Sequence, residues 1–287
     1  MMELGHLPIM PKEIVEYVCT ALSSSPELVV DGTAGGGGHA SLFSEAIPDS
    51  RILAFDRDPS AFVKLKEKFA GSNVTVFNSS YTKIPEIIED NNYPLAGGAL
   101  FDLGLSSIQL DTPERGFSHR YTGLLDMRFD QSRGKPASAM LKEMTEKQIA
   151  DAIYRYGEEG RSRVIARAIK QSRRLSYTDD LAEAVRSVVK GNPVKPLSRV
   201  FQAIRILVNG ELDHLEKLLL EMYKWTAPGC NVAILTFHSL EDRMIKLHFR
   251  DSEYFRQFDP PWLLPGSVEK RANPRARSAR LRLGVRL

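Results

Sequence analysis

Short apolar runs, each closed by a polar or acidic residue, recur through the first hundred positions: ELVVD (27–31), RILAFD (51–56), VTVFN (74–78) and GALFDLG (98–104). Apolar runs that are continuous rather than alternating predict parallel strands buried on both faces. Between them lie helical segments, HASLFSEAI and PSAFVKLKEKFA, the second with Pro59 suited to a first helical turn. PKEIVEYVCTAL (11–22) predicts a helix ahead of the first strand. Strand alternating with helix is the pattern of an α/β fold whose sheet is covered on both sides.

From 108 to 196 the pattern changes. No strand signal remains, and TEKQIADAIYRYG and DLAEAVRSVVK predict helices. FQAIRILVNGELDHLEKLLLEMYKW then predicts one long helix or two in succession, and NVAILTFHS (231–239) a further buried strand. The economical organisation is one α/β domain in two pieces, 1–107 and 197–287, interrupted by a helical domain at 108–196.

Composition adds little until it is localised. The net charge is +3 over 287 residues, but KRANPRARSARLRLGVRL at the C-terminus carries seven basic residues and no acid. RSRVIARAIKQSRR (161–174) is a second acid-free basic stretch. Such clusters are the footprint of polyanion binding and are also common on solvated helix faces. On a helix, Arg163, Arg167, Lys170 and Arg174 share one face, with Val164, Ile165, Ala168 and Ile169 opposite. Cys19 and Cys230 lack metal or redox spacing, which predicts two reduced thiols in a cytoplasmic protein. No run has membrane-spanning length, no export signal is evident, and no cluster suggests a metal. Oligomeric state is not legible, and a homodimer stays open.

The first strand ends in DGTAGGGGHA (31–40). Gly35, Gly37 and Ala40 fit the GxGxxG/A turn of nucleotide-type cofactors, and Asp56 follows at the expected distance. Alone, that match fits NAD, FAD and S-adenosylmethionine about equally. Asp31, Asp56 and Asp102 at three strand ends favour S-adenosylmethionine, because acids attract its ammonium and sulfonium and would repel a pyrophosphate. Any one of them alone is also an ordinary turn cap.

The motifs DGTAGGGGHA, FDRDP, DLGLSSIQLD, ERGFS, LDMRFD, YGEE, FQAIRI…VNGEL, FHSLEDR and NPRARSARLR follow in this order from 31 to 282. Together they resemble the bacterial small-subunit rRNA cytidine-N(4) methyltransferases, the RsmH (MraW) family. GHLPIMPKEIVE, with His6 and Pro8, is similar to that family's opening. The resemblance implies a Rossmann-like S-adenosylmethionine-dependent methyltransferase sheet with an inserted helical domain. It implies methyl transfer to the exocyclic amine of a cytidine in the decoding region of 16S rRNA, with the small ribosomal subunit as partner. The cofactor contacts it implies fall on Gly37, Gly38, His39, Asp56, Tyr81, Asp102 and Gln109. The sequence departs from the family at Phe129, Ser198 and Val200, and in FDPPWLLPGSVEK before NPRARS.

The chemistry on the substrate side is less determined. A cytidine amine needs an acceptor for an amino hydrogen. The Asn/Asp-Pro-Pro-aromatic turn that many amino-methyltransferases use is replaced here by DLGLSS. Asp102 is therefore either that acceptor or a cofactor ligand, with the ligand role favoured. His238, Asp242 and Arg243 in FHSLEDR are candidates to line the crevice, while Ser239 and Asp242 equally have the spacing of a helix N-cap box. Phe117 and Phe237 are candidates for a base pocket or for core. Arg115, Asp126, Arg128 and Asp130 suit an ion-paired loop or a substrate contact. The tail arginines Arg275, Arg277, Arg280 and Arg282 are candidates for RNA phosphate or for rimming the cofactor site. The competing readings are a DNA amino-methyltransferase, an NAD-dependent oxidoreductase, and a ribosome assembly factor without turnover.

Overall fold

The computed structural model describes residues 8–20 and 28–287. His6, Glu27 and positions 21 and 22 of the first expected helix lie outside them. Two compact units divide the chain, Met1–Gly104 with Asp213–Leu287, and Leu105–Leu212.

In chain order the first unit begins α1 (Pro11–Thr20), β1 (Leu28–Asp31), α2 (Gly38–Ala46), β2 (Arg51–Asp56), α3 (Pro59–Lys68), β3 (Val74–Asn78), α4 (Ile84–Asp90) and β4 (Ala96–Asp102). The second unit holds α5 (Ser107–Asp111), α6 (Ala137–Glu143), α7 (Glu146–Gly157), α8 (Ser162–Gln171), α9 (Thr178–Val188) and α10 (Val194–Asn209). The first unit resumes at Asp213 within α11 (Glu211–Glu221) and continues with β5 (Thr226–Thr236), α12 (Ser239–Asp251), β6 (Phe255–Leu263), α13 (Ser267–Ala272) and β7 (Arg280–Arg286).

The first unit's sheet has the order β3-β2-β1-β4-β5-β7-β6. β1 pairs in parallel with β2 on one side and β4 on the other, so the strand order reverses there. In open α/β sheets the ligand crevice lies outside the carboxyl ends of the strands at such a point. One face of the sheet buries Val29, Ile52, Leu100, Leu235 and Leu281 with Ile14 and Phe43. The other buries Val30, Leu53, Phe101 and Ile234 with Trp225 and Phe249. Both faces are covered, as the continuous apolar runs require.

The expected Rossmann-like sheet is present, with two strands the sequence reading missed. β7 runs antiparallel to both β5 and β6, and β6 forms the edge. The expected basic tail is therefore a sheet strand. Leu281 and Leu283 are buried on one face, and Arg282 is 3% exposed on the other. β6 carries Pro260 and Pro261, which lack a ladder donor and are tolerated on an edge strand.

The second unit is helical. Ile149, Ile153, Ile165, Ile169, Leu181, Val185, Val200, Phe201 and Ile204 form its core. The long helical stretch that follows is two helices, because Gly210 closes α10 in the left-handed conformation (φ 60°). The boundary expected at 196 falls inside the first turn of α10. The unit ends at Leu212, because Leu197, Val200 and Phe201 of α10 are buried with α7 and α8. Gly157 lets α7 meet α10 backbone to backbone: a Cβ there would lie 2.6 Å from the Arg199 carbonyl oxygen. Asn209 ties the LDMRFD loop to α10, accepting from the Phe129 N–H at 2.8 Å and donating to the Met127 carbonyl at 2.8 Å.

Candidate active site at the carboxyl edge of the sheet

β1 ends in Asp31, and the backbone turns at once. Gly32 passes so close to the Phe101 ring that a Cβ would lie 2.1 Å from it, so no side chain fits. Gly35 (φ 54°) and Gly37 (φ 74°) take the left-handed conformation that turns the chain into α2. Lys68 buttresses this loop, its Nζ donating to the carbonyls of Gly36 at 3.2 Å and Gly37 at 3.0 Å. Of the four consecutive glycines, Gly35 and Gly37 serve the turn and Gly36 is exposed.

Asp56, at the end of β2, organises the loop. Its Oδ2 accepts from the Gly35 N–H at 2.8 Å and its Oδ1 from the Asp58 N–H at 2.8 Å. Burial pushes its carboxyl up to about 6, against those two N–H groups. Asp31 is 1% exposed and accepts from the Thr33 N–H at 3.2 Å. Burial pushes it up to about 6 as well, with His39 opposing and Asp102 and Asp56 adding to the rise. Asp102, at the end of β4, is also raised by burial, and its Oδ1 is buried without a hydrogen-bond partner.

Burial raises all three acids, and the charges of Asp56 and Asp102 add to the rise at Asp31, so ionising the set in place is costly. A cofactor bearing an ammonium and a sulfonium relieves that cost, and a pyrophosphate would add to it. The unpartnered Asp102 oxygen and the bare turn at Gly35–Gly37 fit such a ligand, which needs acceptors and close backbone approach.

His39 is buried, and its Nε2–H donates to the Ile9 carbonyl at 3.0 Å, fastening the segment before α1. Its ring therefore has a structural partner. Gly38 opens α2, with Pro8 packed over it. Tyr81 follows β3 and stands edge-on to Phe101 (5.7 Å) and His214 (6.4 Å). Beside it, Arg57 Nη1 donates to His214 Nδ1 at 3.0 Å. Burial and the Arg57 charge hold His214 below its usual pKa, so a neutral imidazole accepts from the permanently charged guanidinium. Neither residue was expected at the site. Arg57 stands within the FDRDP motif, but a lone His214 in a helical run carries no spacing signal. Gln109 belongs to the other unit, where its Oε1 accepts from the Ser106 N–H at 3.1 Å and completes the capping box of α5.

FHSLEDR is assembled differently from the expectation. His238, not Ser239, is the N-cap of α12, and Glu241, not Asp242, closes the box. Glu241 Oε2 accepts from the Phe237 N–H at 3.0 Å, and His238 Nε2 lies 3.1 Å from Glu241 Oε1 outside hydrogen-bond alignment. Asp242 instead receives Arg282 on both oxygens, at 2.7 and 2.9 Å, and Arg280 at 2.7 Å. Against burial, those guanidinium groups hold its carboxyl below the usual range. Two arginines of the supposed tail are thus internal counter-ions. Arg243 is exposed on α12. Arg275 is half-buried, and its charge pulls the Asp102 carboxyl downward. Arg277 is exposed, with its Nε donating to the Lys270 carbonyl at 3.2 Å.

In the helical unit, α8 buries Ser162, Ile165, Ala166 and Ile169 and exposes Arg163, Arg167 and Lys170. Val164, expected to pack, is 52% exposed, because the buried stripe centres on Ile165, Ala166 and Ile169. Arg174 lies beyond the end of the helix at Gln171 and is not on its face. Lys170 Nζ donates to the Lys142 carbonyl at 2.9 Å, and Arg167 pairs with Glu146 at 3.4 Å. The ERGFS and LDMRFD segments form an anchored loop. Arg115 Nη2 donates to the Arg128 and Phe129 carbonyls at 3.1 and 2.8 Å, and Arg128 pairs with Asp126 at 2.7 Å. Phe117 is core, stacked on Phe129 at 5.6 Å.

The model of the MraW methylase family matches residues 3–286 of this chain. The chain belongs to that family. Among curated relatives, the ribosomal RNA small subunit methyltransferase H of Sorangium cellulosum is 41% identical, over 98% of this chain and 91% of its own length. The proteins of the same name from Trichormus variabilis and Thermosipho africanus are 40% and 38% identical, over 97% and 98% of this chain and 91% and 98% of their own lengths. Membership of the MraW methylases makes the chain a methyltransferase whose cofactor is S-adenosylmethionine. It excludes the oxidoreductase reading.

Proposed function

We propose that this chain transfers the methyl group of S-adenosylmethionine to the exocyclic N(4) amine of a cytidine in the decoding region of small-subunit (16S) rRNA. The observation that carries the reading is the acid cluster at the end of β1, β2 and β4, with one buried Asp102 oxygen awaiting a partner. The relatives' names, ribosomal RNA small subunit methyltransferase H, supply the substrate class.

When bound, the cofactor supplies an electrophilic methyl on a sulfonium, open to in-line attack. The chain's part is then mainly to hold two reactants in register. Asp56 would take the ribose hydroxyls while keeping the Gly35 turn in place. Asp31 and Asp102 would face cationic groups, and Tyr81 with the Arg57–His214 pair would frame the neighbouring part of the pocket. Gly37, Gly38, His39 and Gln109 complete the proposed cofactor set. Asp102 serves as a ligand in this reading. Its free oxygen also supports a second role, accepting a hydrogen from the cytidine amine, whose lone pair is delocalised into the ring.

The inserted unit is the proposed RNA-recognition domain, with Arg163, Arg167 and Lys170 on the exposed side of α8 and Arg174 beyond it. His238, Arg243, Arg275 and Arg277 are the proposed contacts from the sheet domain. The proposal places the enzyme in the cytoplasm, with the small subunit. Methyl-labelled S-adenosylmethionine offered to small subunits, naked rRNA and duplex DNA tests this. Label in the subunits or rRNA supports the proposal, and label in DNA alone overturns it.

A further inference from the structure

β6, the edge strand, carries an exposed tryptophan. Trp262 is 40% exposed, and the Arg280 guanidinium sits over its ring at 4.8 Å. Arg280 is held in turn by Asp242 at 2.7 Å, so the cation beneath the ring is fixed rather than mobile. A large aromatic on an edge strand is a hazard unless it has a use.

The sheet register shows where it stands. Asp102 pairs with Leu235, Leu235 with Leu281, and Leu281 with Leu263. Leu263 therefore lies in the same row as the cofactor-facing Asp102, three strands away. That is roughly 15 Å at the usual strand spacing. Trp262 is the next residue, paired with Arg282 on the face that α12 covers. Arg243 and Lys246 are exposed on α12, and Arg271 and Arg277 are exposed in the segment joining β6 to β7. An aromatic platform braced by a fixed arginine, one residue from the sheet row that holds Asp102, is an arrangement that can hold an unstacked base and its phosphate.

We propose that Trp262 is a stacking platform for a nucleotide flanking the methylated cytidine. This rests on the reading of the chain as an rRNA methyltransferase. A base extruded for chemistry leaves its neighbours unstacked, and a rigid ring to one side of the crevice gives one of them a partner. Trp262 is thus a positioning and binding residue for RNA, not a catalytic one.

The chain has two tryptophans, and Trp225 is only 1% exposed, so quenching of tryptophan fluorescence by added RNA reports on Trp262. The test titrates the full-length protein, saturated with S-adenosylhomocysteine, with a single-stranded oligonucleotide of decoding-region sequence and with an abasic version. Methyl transfer to small subunits is followed in parallel for the wild type, Trp262→Phe and Trp262→Leu. The proposal expects quenching by the oligonucleotide, little by the abasic version, and none in Trp262→Leu. It also expects a KM for subunits raised roughly tenfold in Trp262→Leu, largely restored in Trp262→Phe, with the affinity for S-adenosylmethionine unchanged. Methyl transfer by the wild type with no quenching, and the same KM in Trp262→Leu, would overturn the platform while leaving the enzyme's substrate intact. Cofactor binding without any transfer to rRNA would overturn the underlying reading instead. A fluorescence change that follows protein concentration without RNA would mark an interface between copies, and would also overturn the proposal.

Discussion

Asp56 combines two tasks that pull in different directions. It must offer acceptors to a ligand, yet both of its oxygens already hold backbone N–H groups, one of them in the glycine turn. Asp56→Ala removes both functions and should weaken S-adenosylmethionine binding by about 1–3 kcal/mol, read by calorimetry. Unchanged affinity would show that the ribose lies elsewhere. The same burial makes binding sensitive to pH. Asp31 and Asp56 titrate near 6 in the free protein, well above an unfolded aspartate. Because their folded values are raised, the folded state holds extra protons between about pH 4 and 6. Ionising these acids therefore costs stability as pH rises through that window, and the cost is absent below it. A cationic ligand favours the ionised form. Its affinity should rise with pH through 5–7 and level off above, with protons released near pH 6. Calorimetry in two buffers of different ionisation enthalpy measures that release, and a flat profile would contradict it.

At the scale of elements, the parallel strands and most of the helices were legible because buried strands and amphipathic helices impose different periods on the chain. β6 and β7 were not. The RLRL of β7 alternates with the period of a strand, but its arginines read as a polyanion footprint until Asp242 is seen to neutralise two of them. β6 is masked by its prolines. The glycine turn and Asp31, Asp56 and Asp102 were legible as a set, whereas Arg57 and His214 meet only through folding. Asp242 shows the limit of motif reading: its spacing from Ser239 fits a cap box, and long-range charge pairing decides its role instead. In the inserted unit, backbone contact at Gly157 is a constraint of the same kind. Gly157→Ala would push a Cβ against the Arg199 carbonyl and should destabilise that unit by about 1–3 kcal/mol, seen as a lowered Tm. A Tm equal to that of the wild type would mean that α7 and α10 separate at little cost.

For the whole molecule, family membership gives the cofactor, the buried acids at the switch point of the sheet are the proposed place for it, and the exposed cations of α8 are the proposed contact with a polyanion. Among the described residues no helix is long and apolar enough to cross a membrane. What these features leave to chemistry is which atom of which nucleotide receives the methyl group. Nucleoside mass spectrometry of 16S rRNA from subunits methylated by the purified protein answers that directly. The predicted product is N(4)-methylcytidine from a decoding-region fragment, absent when Asp56→Ala replaces the wild type at low S-adenosylmethionine. A methyl group on cytosine C5, on a ribose 2′-oxygen or on another base would contradict the account.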